Sequence, residues 1–82
     1  MGEPPDAGVA VADAILRYLA LHPDAADSEE GIAEWWMPEM GIGTNAPAVA
    51  EALRSLHRNR LVERETLPDG RVIYRANSAI GN

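Results

Sequence analysis

The chain has 82 residues, no Phe, no Cys and a net charge of −6, and much of its 46 % hydrophobic content is alanine. That length suits one domain with a small core. The absence of cysteine excludes disulfides, thiolate metal sites and a cysteine nucleophile, and no run of about 20 apolar residues suggests a transmembrane helix. The charge is unevenly spread. Residues 1–51 carry one basic side chain, Arg17, against ten acidic ones, whereas residues 52–82 carry six arginines against three acids. Such asymmetry points to a face for an acidic partner.

Residues 1–8 are rich in Pro, Gly and acid and read as a flexible leader. They lack the basic and apolar segments of a secretory signal, so a cytoplasmic location is expected. From Val9 to His22 the apolar residues Val11, Ala12, Ile15 and Leu19 share one helical face, flanked by Leu16 and Tyr18, and Pro23 stops the helix. A loop then leads to a second helix, capped either by Asp27 with Glu30 or by Ser28 alone. Ile32 and Trp36 stack at i, i+4 with Trp35 beside them; Glu30, Glu34 and Met37 point to water; Pro38 ends the helix. In the Gly-rich connector that follows, Met40 and Ile42 act as tethers to the core.

The third helix runs from about Ala46 to Arg58 or Arg60. Asn45 is its N-cap, and Pro47 falls in the first turn, where the amide it lacks has no intrahelical partner anyway. Val49, Ala52, Leu53 and Leu56 form its inner face. Leu67-Pro68-Asp69-Gly70-Arg71 carries the residues of a three-residue hairpin loop with glycine in the left-handed conformation. That register opposes Thr66 to Val72, Arg64 to Tyr74 and Glu63 to Arg75, whereas a two-residue Asp-Gly turn sets Arg64 against Arg75. Residues 77–82 read as a flexible tail.

Three helices followed by a two-stranded ribbon resemble the winged helix-turn-helix superfamily over residues 9–76. The similar stretches are ILRYLALHP, GIAEWW, VAEALRSLHRNRLVERE and PDGRVIYR. The resemblance implies an α+β, mainly α fold: a three-helix winged helix-turn-helix with a C-terminal two-stranded β-hairpin wing. It also implies a non-catalytic, DNA-binding module of the transcription-regulator kind. Two features depart from the pattern. Asn59-Arg60 precede Leu61-Val62 where a glycine is usual, with Asn59 expected to provide the left-handed cap. The connector between the second and third helices also exceeds the minimal turn of about 3–4 residues.

On the DNA reading, the outward residues at the start of the third helix meet base edges. Here they are Pro47, Ala48, Ala50 and Glu51, none of which donates to guanine. Arg54, Ser55 and Arg58 lie further along, suited to phosphates, with Arg71 at the wing tip and Arg75 and Arg64 behind it. The partner is then duplex DNA, held mainly by its backbone. The competing reading pairs Arg54 with Glu51 and Arg75 with Glu63 as ordinary surface charges.

A second functional reading is a protein–protein interaction module, an adaptor or a small subunit of a larger assembly. Its exposed apolar anchor comprises Trp35, Met37 and Met40, which face a protein partner or a second copy in a homodimer. Catalysis is not expected. His22 and His57 are isolated, the acidic run from Asp24 to Glu30 lacks the calcium-loop pattern, and no Gly-rich phosphate loop is present. No catalytic residue, metal or cofactor is therefore anticipated.

Overall fold

The computed structural model describes residues 7–77; the rest of the leader and the tail from residue 78 lie outside the described residues. The chain folds as a mainly helical α+β unit of three helices and a three-stranded antiparallel sheet. The first helix, Ala7–Leu21, begins before the apolar pattern does and buries Val11, Ala14, Ile15 and Leu19, with Ala12 half-buried beside them.

The stretch expected as a loop contains a short strand, β1 (Ala26–Asp27). It pairs with β3 (Val72–Ala76), Ala26 opposite Arg75 and Asp27 opposite Tyr74. The two-stranded ribbon is thus corrected to a sheet of order β1-β3-β2, with β2 spanning Val62–Thr66. Two residues are too few to show alternation, so β1 left no periodic signal.

Ser28 alone caps the second helix, its Oγ accepting the Gly31 N–H at 3.1 Å. Asp27 instead accepts the Ser28 N–H at 2.7 Å. A Cβ at Gly31 would lie 2.0 Å from Asp27 Oδ1, so a larger residue there would displace the carboxylate that accepts the Ser28 N–H.

The second helix then departs from regular geometry. An α turn over Glu29–Gly31 gives way to a π turn over Ile32–Trp36, and α geometry resumes over Met37–Glu39. The Met37 N–H donates to the Ile32 carbonyl, five residues back. The wider turn advances the helical face by one residue, so both Trp36, 4 % exposed, and Met37, 0 % exposed, enter the core with Ile32. Met37 therefore does not point to water, which corrects the regular 3.6-residue expectation. Nor does Pro38 end the helix. In a regular helix its ring would press on the carbonyl four residues back, and here it directly follows the widened turn. The helix closes at Gly41 (φ 76), where Gly41 N–H bonds to Pro38 at 3.0 Å and Ile42 N–H to Met37 at 2.8 Å.

The third helix, Ala46–Arg58, has the expected cap: Asn45 Oδ1 accepts the Ala48 N–H at 3.0 Å. Val49, Ala52, Leu53 and Leu56 are all buried. Its end carries the same closing motif as the second helix, with Arg60 N–H bonded to His57 at 3.0 Å and Leu61 N–H to Leu56 at 2.9 Å. The left-handed residue is Arg60 (φ 62), not Asn59. The helix reaches Asn59 as its C-cap, so the left-handed position falls one residue later, while Asn59 Nδ2 donates to the Ser55 carbonyl at 3.0 Å. The hairpin follows the predicted three-residue loop and register, with Gly70 at φ 92. Val62 and Tyr74 complete a core shared by all three helices and the sheet. No helix among the described residues is long and apolar enough to cross a membrane.

A side chain held in the left-handed region costs about 1–2 kcal/mol, partly offset by the entropy glycine loses on folding. Arg60→Gly is accordingly expected to raise stability by about 0.5–1 kcal/mol in urea denaturation. A loss of stability would show that the Arg60 side chain makes compensating contacts.

Candidate functional site

The sheet separates its charges by face. Val62, Arg64 and Thr66 share a side with Val72, Tyr74 and Ala76, and the burial of Val62 and Tyr74 marks this as the side toward the helices. Arg64 thereby projects along the margin of the core toward the third helix. It lines one cleft with Ala50, Arg54, His57, Tyr74 and Glu29. A second cleft continues from Glu29 and Arg64 to Arg71, Val72, Ser28 and Glu30. A third begins at Arg54 and runs between the first and third helices, past Glu51, Ser55 and Arg58 to Val9 and Ala12. Through these shared residues Arg58, Arg54, Arg64 and Arg71 lie along one band of adjoining clefts, interleaved with Glu29, Glu30 and Glu51.

The members of the band differ in how free they are. Among the ion pairs of the described residues, none involves Arg54, Arg58 or Arg64. The expected Arg54–Glu51 pair does not form. Arg71 folds back on its own turn, where its backbone N–H donates to Asp69 Oδ1 at 3.1 Å and its Nε to Asp69 Oδ2 at 3.0 Å. That backbone hydrogen bond is the chief reason the Asp69 carboxyl is held below its ordinary pKa.

Arg75 belongs elsewhere. It lies on the opposite sheet face and bridges Glu63 Oε1, at 3.3 Å, and Glu65 Oε1. Strand alternation sets it apart from Arg54 and Arg58, with which the sequence reading grouped it as a nucleic-acid contact, and its pairing with Glu63 matches the competing reading. Ser55 is exposed on the band, and its carbonyl accepts from Asn59.

Residues that sequence reasoning did not place among the contacts complete the central cleft. Tyr74 OH donates to Glu29 Oε2 at 3.3 Å. Burial, and then the negative charge of Glu29, push the phenol above its ordinary pKa, while Arg64 and Arg54 pull it down. Arg64, which the sequence reading set behind the main contacts, sits directly across from Tyr74 in the expected register. His57 lies three residues from Arg54, on the same helical face. Nothing local in the sequence brings Glu29 to this cleft.

The proposed apolar anchor breaks up. Trp35 is 70 % exposed, Met37 is fully buried, and Met40 is half-buried against the core. Met37 and Met40 are therefore held inward by the turn geometry around Pro38 and Gly41, leaving Trp35 alone at the surface. Nearby, Tyr18 stacks on Trp36 with ring centroids 4.5 Å apart and contacts His22 at the same separation. His22 Nε2 also meets Glu39 Oε2 at 3.4 Å.

Comparison with family models, curated proteins and solved structures finds no match to this chain.

Because the phenol pKa is raised in the folded state, Tyr74 contributes stability that is fully present below pH of about 10 and is lost as pH rises through the folded value. Glu29→Gln removes a charge that opposes phenolate formation. It is expected to bring the Tyr74 titration down, read as the difference in phenolate absorbance between the protein and its Tyr74→Phe variant. An unchanged titration would mean that Glu29 does not act on Tyr74.

Proposed function

We propose that this chain is a winged helix-turn-helix module that binds duplex DNA mainly through phosphates, with weak sequence preference. The observation that carries the reading is the group Arg54, Arg58 and Arg64. These arginines lie on connected clefts along the third helix and the adjoining sheet, and none of them enters an ion pair among the described residues. Arginine suits this task because its planar guanidinium engages phosphate oxygens bidentately. The order of three helices followed by a hairpin agrees with the winged-helix resemblance.

Two features set the character of the binding. The leading end of the third helix offers Pro47, Ala48, Ala50 and Glu51, which supply no donors to base edges. The net charge of −6 opposes a polyanion at long range, so binding depends on the local arginine band and weakens steeply with salt. Arg71 is a reserve contact. Engaging a phosphate there means releasing Asp69, and an exposed pair of this kind is held only weakly.

Three phosphate contacts predict a salt slope of roughly −3, or a loss of about 40-fold in affinity between about 50 and 200 mM salt. Fluorescence anisotropy with a labelled duplex measures this directly. Arg54→Ala combined with Arg64→Ala should reduce the slope to about −1, while Arg75→Ala should leave it unchanged. Affinity indifferent to salt, or to the double substitution, would overturn the reading.

A further inference from the structure

The second helix exposes Glu30, Glu34, Trp35, Pro38 and Glu39, and no basic residue. Glu30 and Glu34 enter no ion pair among the described residues, and Glu39 meets only His22. Trp35 is more exposed than Val9 or Leu21, the other large apolar residues at the surface. Tryptophan is highly buried on average, and this chain has few large apolar residues with which to build a core. The widened turn nevertheless directs Trp36 and Met37 inward and leaves Trp35 in water.

We propose that this acidic–aromatic face docks an arginine-bearing segment of a partner protein. An indole face attracts a guanidinium more strongly than the other aromatic rings do, and Glu34 beside it, with Glu30 and Glu39 a turn to either side, supplies the opposing charge. The stem of the arginine covers the apolar part of the ring while its head meets the carboxylates. The same carboxylates disfavour other occupants. DNA phosphates are repelled, and a symmetric contact between two copies would set three glutamates against the same three glutamates. Glu30 also borders the cleft of Arg64 and Arg71, whereas Glu34, Trp35 and Glu39 line none of the three clefts that hold the arginines.

The test uses the full chain, isotopically labelled, titrated with a synthetic peptide alternating arginine and leucine. A matched peptide with citrulline in place of arginine is the control. The expected result is a saturable shift of one indole N–H signal, the one absent from the Trp35→Phe spectrum, with no such shift from the citrulline peptide. Trp35→Ala should weaken binding about tenfold, and Glu30→Gln with Glu34→Gln several-fold. Circular dichroism checks that each variant keeps its fold, and the glutamine pair tests the same face if Trp35→Ala fails that check. The proposal is overturned if the citrulline peptide binds equally well, if no saturable shift occurs, or if both sets of variants bind like the parent. It is also overturned if sedimentation shows a dimer that Trp35→Ala dissolves, since the occupant is then a second copy.

Discussion

The hydrogen bond from the Met37 amide to the Ile32 carbonyl spans five residues instead of four, and much of the molecule hangs on that extra residue. With four, Met37 would fall about 140° around the helix from Ile32 and would turn away from the centre. With five, Ile32, Trp36 and Met37 line one inner face. Trp36 can then stack on Tyr18, which fastens the first helix to the second. Met37 can accept the Ile42 amide that closes the helix and aims the chain toward the third helix. Burying a side chain the size of Met37 contributes about 1.5–3 kcal/mol, a sizeable part of the roughly 5–15 kcal/mol that stabilises ordinary domains.

The same economy governs the charges. Strand alternation places Arg75 with Glu63 and Glu65 on the outer face of the sheet, where these charges satisfy one another. Arg64, one residue from each glutamate, is turned to the inner side and meets the third helix instead. A charged band is thus assembled from two elements that the chain brings together over a short junction. That junction, from Asn59 to Leu61, is held by four backbone hydrogen bonds: Asn59 N–H to Ser55, Arg60 N–H to His57, Leu61 N–H to Leu56 and Asn77 N–H to Leu61. Asn77 Nδ2 also donates to the Arg60 carbonyl at 2.9 Å. The positions of Arg54 and Arg64 are therefore set relative to each other by backbone geometry.

How legible each part was in the sequence depended on how local its cause is. The third helix could be read almost residue by residue, because Asn45, Pro47 and the spacing of Val49, Leu53 and Leu56 act within a turn or two of where they stand. The hairpin was equally readable: Gly70 and the avoided clash of Arg64 with Arg75 both point to one register. The π turn was not, because nothing in Ile-Ala-Glu-Trp-Trp demands it, and the contacts it makes, Trp36 on Tyr18 and Met37 in the core, lie outside that stretch. Strand β1 was hidden because its partner lies far along the chain. Arg60 was missed by one position, for the helix runs through Arg58 before it turns. At the candidate site, Arg54 and Arg58 were found from helical spacing. Arg75 was grouped with them because its sheet face went unread, and Arg64 owes its place to alternation from Val62.

Among the described residues, the sheet order β1-β3-β2 leaves a strand with an open side at each border. Such borders are templates on which further strands can grow. At one border the strand is a mere two residues, too short to seed a neighbour. At the other, Glu63, Arg64 and Glu65 occupy successive positions, so an incoming strand would meet charge on both faces. The fold thus resists growth by strand addition into ribbons or fibrils, and its assemblies, of whatever kind, are left to side chains.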